Sequence, residues 1–378
     1  MSRWAWAEID HDAIRHNVEV LRRAVAPSAV WAVVKADGYG HGAIGVARSA
    51  LEAGAEGLCV ALIDEGAELR RAGVDAPILL LSEQPRADVA RIAEHRLTPT
   101  VYTRPYVEAL AALDLAAFDL DRLDVHLKVD TGMGRVGVAP GDAPALAEIV
   151  RQHAPRLRLA GVATHLASAD EITDPATSQQ LAAFESVLAL LPPTPVETPL
   201  LHAANSAGAL AHPLARYSFV RAGIAIYGIS PGHGVDHLCR ELRPAMSLRA
   251  RVSYLKRVEA GTRISYGLRH TFSRPTTVAT VPIGYADGVP RRLFETGGEV
   301  LVGGRRCAIV GVVTMDQLMA DVGDDPVAIG DEVVLIGAQG DERIAAEEWA
   351  DRLGTIGYEI VCGVSRRIAR APRRSIGD

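Results

Sequence analysis

The sequence predicts an α/β protein in which an N-terminal (β/α)8 barrel precedes a mainly antiparallel β domain. Three observations support this prediction. Apolar, strand-like runs alternate with helical patterns from about residue 10 to residue 230, and eight strands can be counted there. After about residue 235 the pattern changes to short β-like runs between glycine-rich turns. The chain has 378 residues, a length that favours two domains over one.

Each predicted barrel strand is a short apolar run. Strand–helix alternation predicts parallel strands with right-handed crossovers, and eight units in this length match a closed, TIM-like barrel. The alternative, an open doubly wound sheet, predicts a Gly-x-Gly-x-x-Gly turn that the stretch from Asp37 to Gly42 does not match. The predicted strands are Val30–Lys35, Gly57–Leu62, Ile78–Leu81, Leu97–Tyr102, Leu123–Asp130, Leu159–Leu166, Leu200–Ala204 and Ser218–Tyr227. The predicted helices are Asp12–Val25, Gly42–Ala53, Asp64–Arg71, Arg86–His95, Arg104–Leu113, Asp142–His153, Ala176–Leu191 and Ser206–Ala211.

The barrel is predicted to span residues 10–234 and the β domain residues 235–378. Gly-Gly, Gly-Asp and Asp-Asp-Pro turn signals separate the β-like runs of the second domain, as is typical of antiparallel strands. The run at residues 3–9 predicts another strand, which could pair with the barrel or pack with the β domain. The β-like runs are Ser247–Arg257, Thr276–Ile283, Glu299–Val302, Arg306–Val313, Met319–Val322 and Glu332–Ile336, with a short helix at Glu347–Leu353.

Composition limits the class of protein. Forty basic and 46 acidic residues give a net charge of −6 without a clustered basic patch, which argues against nucleic-acid binding. The N-terminal stretch lacks the apolar core of a signal peptide, and no apolar run is long enough to span a membrane. The four cysteines lack metal-ligand spacing, so we expect no metal and a cytoplasmic protein with reduced thiols.

Lys35 ends the first predicted barrel strand and precedes a glycine-rich turn. The strand is apolar on both faces, so its end is predicted to lie inside the molecule. Lysine is seldom buried, and a desolvated lysine loses its proton readily, which suits an amine that forms a Schiff base. An ordinary lysine whose charge reaches solvent fits this stretch equally well.

Polar residues also occur at the ends of four other barrel strands, where barrel enzymes bind their substrates. They are Lys128 and Arg135 near the fifth strand, His165 at the sixth, His202 in the seventh and Arg221 in the eighth. A single histidine is more often a satisfied core residue. Residues at five strand ends, however, would all face one barrel mouth, which indicates a site there.

A phosphate cradle is predicted after the seventh and eighth strands. Asn205 and Ser206 open a short helix with exposed N–H groups and a hydroxyl, and Gly223 and Ile224 allow close backbone approach. By itself, Asn205 would be only a helix cap. A phosphate and an amine-bearing lysine at one barrel mouth indicate pyridoxal 5'-phosphate held as a Schiff base.

Nine motifs resemble those of bacterial alanine racemases, in order from about residue 4 to residue 370. One such motif would be weak evidence, whereas nine in register are specific. The barrel motifs are Ala-Val-Val-Lys35-Ala-x-x-Tyr39-Gly-His-Gly, Lys128-Val-Asp-Thr-Gly-Met-Gly-Arg135-x-Gly, Thr164-His165, His202-x-x-Asn-Ser206 and Arg221-x-Gly-Ile224. Those of the second domain are Ser265-Tyr266-Gly267, Pro282-Ile-Gly-Tyr285-Ala-Asp-Gly, Thr314-Met315-Asp316-Gln and Gly354-Thr-Ile-Gly-Tyr358-Glu-Ile.

The resemblance implies a homodimeric, fold-type III pyridoxal-phosphate enzyme that interconverts L-alanine and D-alanine and supplies D-alanine for peptidoglycan. Lys35 would hold the cofactor and act as a base on one face of the substrate. Inversion requires a second base on the opposite face, and Tyr266 matches the residue that the family supplies from the partner subunit. A free phenol has a pKa of about 10, so a tyrosine base needs nearby positive charge at neutral pH.

The resemblance also implies roles around the cofactor. Arg221 would contact the pyridine nitrogen, and because arginine keeps its proton the nitrogen would stay unprotonated, which makes the cofactor a weaker electron sink. His202 would hydrogen-bond Arg221, and His165 would lie against the cofactor ring. The cofactor-binding set is completed, mainly at the phosphate, by Tyr39, Asn205, Ser206, Gly223, Ile224 and Tyr358.

Four residues are implied to contact the substrate or the path to it. Arg135 and the Met315 backbone would bind the substrate carboxylate. Tyr285, with the phosphate-binding Tyr358, would narrow the entrance and favour a small side chain such as the methyl group of alanine. Asp316 is grouped with them, although a hinge, interface or turn role remains open.

Lys128 matches a lysine that is carbamylated in some family members, where it positions Arg135. An unmodified lysine beside an aspartate fits the sequence nearly as well. The chain departs from common family patterns at Ala36-Asp37-Gly38, at Gly357 and at Val312. None of these positions has a chemical role, but Val312 puts in doubt an entrance contact that an arginine makes elsewhere.

Three other functions share some of these features. A pyridoxal-phosphate homeostasis protein has a similar barrel and lysine but no β domain and no second base. A decarboxylase of related fold uses a β-domain cysteine and an acidic partner for the pyridine nitrogen, whereas Arg221 has the opposite charge. A serine racemase or one of broader specificity differs only in pocket size, so the entrance tyrosines favour alanine without deciding it.

Overall fold

The computed structural model describes residues 4–191 and 199–373, so the predicted run at 3–9 is described from residue 4 onward. The chain divides into two compact units. The β unit consists of the described parts of Met1–Ala13, Tyr39–Gly42 and Pro244–Asp378. The barrel unit consists of the described parts of Ile14–Gly38 and Ala43–Arg243. The first strand, β1 (Ala5–Ile9), and the start of helix α1 (His11–Val25) belong to the β unit.

The barrel unit contains eight parallel strands, in the places where the sequence predicts them. They are β2 (Ala29–Val33), β3 (Gly57–Val60), β4 (Ile78–Leu80), β5 (Thr100–Val101), β6 (Leu123–Lys128), β7 (Leu157–Ala163), β8 (Leu200–His202) and β9 (Phe219–Ala222). Between them lie α2 (Lys35–Tyr39), α3 (Ala43–Glu52), α4 (Ile63–Arg71), α5 (Val89–Glu94), α6 (Arg104–Ala111), α7 (Ala143–Gln152), α8 (Ala176–Leu190) and α9 (Ser206–Ala211).

These strands close into a ring. One parallel sheet has the order β4-β3-β2-β9 and the other the order β5-β6-β7-β8. A parallel bridge between Leu79 and Thr98 joins β4 to the segment before β5. On the other side, the Ser218 N–H donates to the Leu201 carbonyl at 3.0 Å and joins β8 to β9. The predicted (β/α)8 barrel is therefore confirmed.

Aromatic rings fill part of the barrel interior. Phe219 of β9 stacks on Trp31 of β2, with centroids 4.4 Å apart, and on His202 of β8, with centroids 4.3 Å apart. His126 of β6 contacts His202 at a centroid distance of 5.1 Å. Inward-pointing side chains of this size make the barrel a packed core whose chemistry is confined to its ends.

The β unit is mainly antiparallel, as the sequence predicts. Its largest sheet has the order β16-β15-β18-β10-β1-β20 with β19 paired to β18, and a three-stranded sheet has the order β11-β14-β17. Only the pair β1–β20 is parallel among the strand pairs described in this unit. The elements are β10 (Met246–Arg251), β11 (Tyr254–Val258), β12 (Arg263–Ile264), β13 (His270–Thr271), β14 (Thr276–Val281), β15 (Glu299–Val302), β16 (Arg305–Ala308), β17 (Leu318–Gly323), β18 (Glu332–Gln339), β19 (Glu342–Ile344), α10 (Ala346–Leu353), α11 (Gly357–Gly363) and β20 (Ala369–Pro372).

The structure gives the strand pairing of two predicted β-like runs, the one before α1 and Ser247–Arg257. The run before α1 forms β1, which pairs antiparallel with β10 and parallel with β20. The single predicted run Ser247–Arg257 is two strands, because the chain changes sheets between them. The Val252 N–H donates to the Asp331 carbonyl and the Ser253 N–H donates to the Thr280 carbonyl, both at 2.9 Å.

Candidate functional site

Lys35 lies two residues beyond the end of β2, not within the strand as predicted, and it begins a turn of left-handed twist. Four consecutive residues have positive φ: Ala36 (53°), Asp37 (53°), Gly38 (61°) and Tyr39 (52°). This conformation costs roughly 1–2 kcal/mol for each residue other than glycine. The Gly38 N–H donates to the Val34 carbonyl at 2.9 Å, and Asp37 Oδ1 accepts the Ala43 N–H at 2.9 Å. These bonds hold the strained turn.

Glu65 of α4 also holds this turn. Its Oε1 accepts the N–H of Ala36 at 2.7 Å. Its Oε2 accepts the N–H groups of Ala61 at 2.8 Å and Leu62 at 3.1 Å. One carboxylate therefore joins the residue after Lys35 to the chain that leaves β3.

Arg221 of β9 is buried, and its guanidinium donates only to neutral acceptors among the residues described. Nη1 donates to His202 Nδ1 at 2.5 Å. Nη2 donates to the carbonyls of Thr164 and Ala203, both at 2.9 Å, and to His165 Nδ1 at 3.1 Å. Within residues 4–191 and 199–373, the Nε–H group donates to no protein acceptor, so it is available to a ligand.

The three imidazoles of this cluster are neutral at physiological pH. Burial, and then the charge of Arg221, lowers the pKa of His202 and of His165 well below the usual 6.5. Burial lowers the pKa of His126 to about 4. Burial also lowers the pKa of Arg221 to about 10, which leaves the guanidinium protonated at pH 7. The cluster thus contains one fixed cation among neutral rings.

Cys59 of β3 connects Lys35 to Arg221 electrostatically. Burial raises the pKa of its thiol to about 12, while the charges of Arg221 and then Lys35 act in the opposite direction. The thiol therefore stays protonated at neutral pH. The charges of Arg221 and Lys35 thus both act on this buried thiol.

Ser206 joins the ends of β8 and β9. Its Oγ accepts the N–H groups of Gly223 at 2.9 Å and Ala225 at 3.3 Å. Two accepted hydrogen bonds leave the hydroxyl proton to donate to another acceptor. Asn205 caps α9, because its Oδ1 accepts the Gly208 N–H at 2.9 Å. The structure thus brings the predicted cradle residues together with a hydroxyl donor at their centre.

Lys128 is the last residue of β6, and the loop that follows it is held by hydrogen bonds to Asp130. Burial lowers the pKa of its amine to about 8, and the charges of Arg221 and Arg135 act in the same direction. Asp130 Oδ1 accepts the N–H groups of Gly132 and Gly134, both at 3.0 Å. These bonds fix the loop that carries Arg135, whose side chain is exposed.

The predicted site residues divide between the two units. Those of the barrel unit come from the ends of β2, β6, β7, β8 and β9; they are Lys35, Lys128, Arg135, His165, His202, Asn205, Ser206, Arg221, Gly223 and Ile224. Those of the β unit are Tyr39, Tyr266, Tyr285, Met315, Asp316 and Tyr358.

Tyr39 belongs to the β unit, although only three residues separate it from Lys35. Its ring lies 6.0 Å from the ring of Tyr358 in α11. Gly40 approaches α11 so closely that a Cβ there would lie 2.4 Å from the Val361 carbonyl oxygen. Arg370 Nε donates to the Gly40 carbonyl at 2.9 Å. The two predicted phosphate-binding tyrosines are therefore neighbours within this unit.

Tyr266 lies in the loop of the β12–β13 hairpin and is 72% exposed. Its neighbours have positive φ: Ser265 (66°), Gly267 (72°) and Leu268 (48°). Ser265 Oγ donates to the Val312 carbonyl at 2.9 Å. Beneath the hairpin lies a small apolar core of Val258, Ile264, Phe272, Val278 and Val310. A strained, well-supported loop thus presents an exposed phenol.

Tyr285 and Met315 lie on two segments in direct backbone contact. The Tyr285 N–H donates to the Thr314 carbonyl at 2.9 Å, and the Ala286 N–H donates to the Met315 carbonyl at 3.0 Å. A Cβ at Gly284 would lie 2.2 Å from the Thr314 carbonyl oxygen, so only glycine permits this approach. The predicted entrance tyrosine and carboxylate-binding backbone are therefore coupled.

Asp316 pairs with Arg367, whose Nη2 lies 2.6 Å from Asp316 Oδ1. The Nε of Arg367 lies 3.5 Å from Oδ1 of the buried Asp287. Asp287 Oδ2 in turn accepts the Gly284 N–H at 2.9 Å. Asp316 thus has a partner within its own unit. Arg367 links the segment that carries Tyr285 to the segment that carries Met315.

Sequence reasoning missed four residues that support this site: Glu65, His126, Gln180 and Arg367. Gln180 Nε2 donates to the His165 carbonyl at 2.9 Å, and its Oε1 accepts the Ala167 N–H at 2.8 Å, which fixes the chain after β7. A usable signal existed for His126, which lies two residues before Lys128 and therefore on the same face of β6. Another was the lysine content, since only Lys35, Lys128 and Lys256 occur in the chain.

Residues 4–191 and 199–373 contain no group of three or more histidine, cysteine, aspartate or glutamate side chains arranged to hold a metal ion. None of the helices in that part of the chain has the length and apolar character needed to cross a bilayer.

Comparison with known proteins gave two family matches. The family model "Alanine racemase, N-terminal domain" matches residues 9–231, and "Alanine racemase, C-terminal domain" matches residues 245–372. Among curated relatives, the alanine racemase of Symbiobacterium thermophilum is 47% identical over 371 residues, which cover 97% of both chains. That of Geobacillus stearothermophilus is 42% identical over 371 residues, covering 97% of this chain and 93% of the relative.

Solved structures give the same result. The alanine racemase of the D-cycloserine producer Streptomyces lavendulae superposes with a TM-score of 0.93 at 37% identity and covers 100% of this chain and 98% of its own. The alanine racemase of Bacillus anthracis with bound L-Ala-P superposes with a TM-score of 0.91 at 40% identity, covering 99% of this chain and 96% of its own. At these identities and coverages the likeness extends to both units.

Proposed function

This chain belongs to the alanine racemase family and is an amino-acid isomerase that interconverts L-alanine and D-alanine; we propose that it does so with two bases and pyridoxal 5'-phosphate. The observation that carries the proposal is the pair formed by Lys35 on its strained turn and the charged Arg221 among neutral acceptors. Both belong to the barrel unit and lie within electrostatic reach of Cys59.

The residues of the barrel unit fit this cofactor. Lys35 supplies an amine for covalent attachment, and the Ser206 hydroxyl proton is available to a phosphate oxygen. The Nε–H of Arg221 would donate to the ring nitrogen and keep it unprotonated, because arginine does not give up its proton. When bound, pyridoxal phosphate acidifies the Cα–H bond of an amino acid. His202 would hold the guanidinium plane and His165 would lie against the cofactor ring.

The remaining cofactor roles follow from the family motifs. We assign the phosphate to Tyr39, Ser206, Gly223, Ile224 and Tyr358, with Asn205 capping α9 beside Ser206. The Gly223 N–H already donates to Ser206 Oγ, so the Ser206 hydroxyl is the donor of that pair that remains available to the phosphate. Neighbouring tyrosines at 39 and 358 support a shared role.

The proposed bases act on opposite faces of Cα. Lys35 would remove or return the proton on one face, and Tyr266 of a partner subunit on the other. Support for the partner role comes from the exposure of Tyr266, which is 72% in the single chain, and from the strained loop that presents it. We therefore propose a homodimer with shared active sites.

Residues of both units are proposed to bind and select the substrate. Arg135 and the Met315 backbone would bind the carboxylate, while Tyr285 would limit side-chain size and Asp316 would fix the Met315 segment through Arg367. A lowered amine pKa supports carbamylation of Lys128, since the neutral amine is the form that reacts with carbon dioxide.

We further propose that residues 10–234 form the cofactor-binding domain and residues 235–378 the C-terminal β domain, to which the strand at 3–9 contributes. The protein is proposed to act in the cytoplasm, away from nucleic acid and membranes, and to supply D-alanine for peptidoglycan. These proposals rest on the family resemblance and on the composition of the chain.

The decisive test is a substrate panel. Purified protein with pyridoxal phosphate is given each enantiomer of alanine, serine and small branched amino acids, and chiral products are measured. We expect L-alanine to lose optical activity as D-alanine appears, with Lys35→Ala as the inactive control. Faster turnover of serine would favour the broader racemase. Bound cofactor with retained rotation for every substrate would instead favour a homeostasis protein.

A further inference from the structure

The backbone of the barrel is irregular around His126 and leaves room for its imidazole ring. It is buried in β6, and its Nδ1 lies 2.9 Å from His202 Nε2. The register between β6 and β7 shifts at this point, because Val125 pairs with Leu159 while His126 pairs with Gly161. A Cβ at Gly161 would lie 2.5 Å from the His126 ring. A bulge and a glycine thus accommodate one imidazole.

The hydrogen-bond directions in this chain of side chains are determined. Arginine can only donate, so His202 Nδ1, 2.5 Å from Arg221 Nη1, must be an unprotonated acceptor. A neutral His202 then carries its proton on Nε2 and donates it to His126 Nδ1. His126 is accordingly protonated on Nε2. No other arrangement of neutral rings satisfies both contacts.

Packing fixes the plane of His202 but not its proton. Phe219 stacks on the His202 ring with an interplanar angle of 22°. Either tautomer would pack equally well against that face. The tautomer with the proton on Nδ1 would direct an N–H at the Nη1–H of Arg221, donor against donor. Arg221 on one side of the ring and the acceptor at residue 126 on the other both favour the proton on Nε2.

We propose that His126 is a positioning residue, which holds the proton of His202 on Nε2 and thereby fixes the guanidinium of Arg221. This role rests on the proposed function in so far as Arg221 acts on the cofactor ring. His126 itself contacts neither substrate nor cofactor in this scheme. It acts through His202, as an outer partner orients a ligating histidine in metal sites.

The test uses His126→Leu, which fills similar space without an acceptor, and His126→Asn, whose Oδ1 stands where Nδ1 stood. Thr100→Val is the matched control, because Thr100 of β5 pairs with His126 of β6 and its Oγ1 donates to the Leu80 carbonyl at 2.5 Å. Gly161→Ala is a second variant, which keeps the imidazole but displaces it. Ring 15N spectra of the cofactor-free proteins report the His202 tautomer, assigned by its absence in His202→Gln.

We expect His126→Leu and Gly161→Ala to move the His202 proton towards Nδ1 and to lower kcat by about 10- to 100-fold, the range seen when orienting partners are lost at metal sites. His126→Asn should restore both the tautomer and most of kcat. Thr100→Val should lose stability without changing the tautomer.

An unchanged His202 tautomer in both His126→Leu and Gly161→Ala overturns the proposal, as does a kcat loss no larger than that of Thr100→Val. Because the spectra require neither cofactor nor substrate, they decide the positioning role separately from the proposed function. Wild-type protein that fails to racemise alanine, yet shows the expected tautomer changes, contradicts only the proposed function.

Discussion

Glu65 Oε1 accepts the N–H of Ala36 at 2.7 Å, so helix α4 holds the residue that follows Lys35. The same carboxylate accepts two further N–H groups after β3. We predict that Glu65→Ala lowers the free energy of unfolding by about 1.5 kcal/mol, the low end for bonds to a charged group, because Ala36 is exposed to water. Denaturant unfolding measures this loss. Glu68→Ala, an exposed change on the same helix, should stay within about 0.5 kcal/mol of the wild type.

Tyr266→Phe should abolish racemisation while the visible absorbance of the bound cofactor persists. The phenol oxygen is the only atom removed, and the proposed second base is lost with it. Tyr254→Phe is the matched control, since Tyr254 is another exposed tyrosine of the β unit and should tolerate the change. Loss of the cofactor band in Tyr266→Phe would mean that this tyrosine binds cofactor and is not a base.

Lys128 should form a carbamate in a pH-dependent way. Its pKa of about 8 leaves roughly half of the amine neutral at pH 8 and about 3% at pH 6.5. The neutral amine attacks carbon dioxide, and one proton is released for each carbamate formed. With 13C-labelled bicarbonate, the carbamate carbon signal should be strong at pH 8 and weak at pH 6.5. It should vanish in Lys128→Arg and persist in Lys256→Arg; a signal that survives in Lys128→Arg would assign the carbamate elsewhere.

Arg367→Met should raise KM for alanine more than it lowers kcat. Arg367 ties Asp316 to Asp287, and these residues flank the Met315 backbone proposed to bind the carboxylate. Because Arg367 and Asp316 are both about half exposed, we expect an increase in KM of about two- to fivefold. Steady-state kinetics separate the two parameters. Arg366→Met, an adjacent exposed change, should alter neither, and an equal effect of both variants would contradict the linkage.

The barrel could be predicted from the sequence because its signals are local. Runs such as Gly57–Val60 are apolar on both faces and lie between turn residues, so strand identity needs no knowledge of the partner strand. The left-handed turn after Lys35 could not be predicted, because alanine and tyrosine do not favour positive φ. Two side-chain contacts hold this conformation. Glu65, which is distant in the chain, accepts the Ala36 N–H, and Asp37 accepts the Ala43 N–H at the start of the next helix.

The site residues also divide into those that the sequence predicts and those that it does not. Lys35, His202 and Arg221 lie at or near strand ends, where strand counting and family motifs lead directly to them. Arg367 and Asp287 are far apart in the chain, and only the fold brings their side chains together. Strand periodicity places His126 on the same face as Lys128, but its importance depends on a proton position that no sequence pattern encodes.

The left-handed turn at residues 36–39 also determines how these positions can evolve. Glycine and asparagine enter this backbone conformation readily, whereas valine, isoleucine and threonine do so at the greatest cost. A library saturated at Ala36 and Asp37, selected for viable protein, should therefore be depleted of β-branched residues although neither side chain is assigned any chemistry. Such depletion would resemble a catalytic requirement, yet at Ala36 it would record only the left-handed backbone, and at Asp37 also the hydrogen bond from the Ala43 N–H.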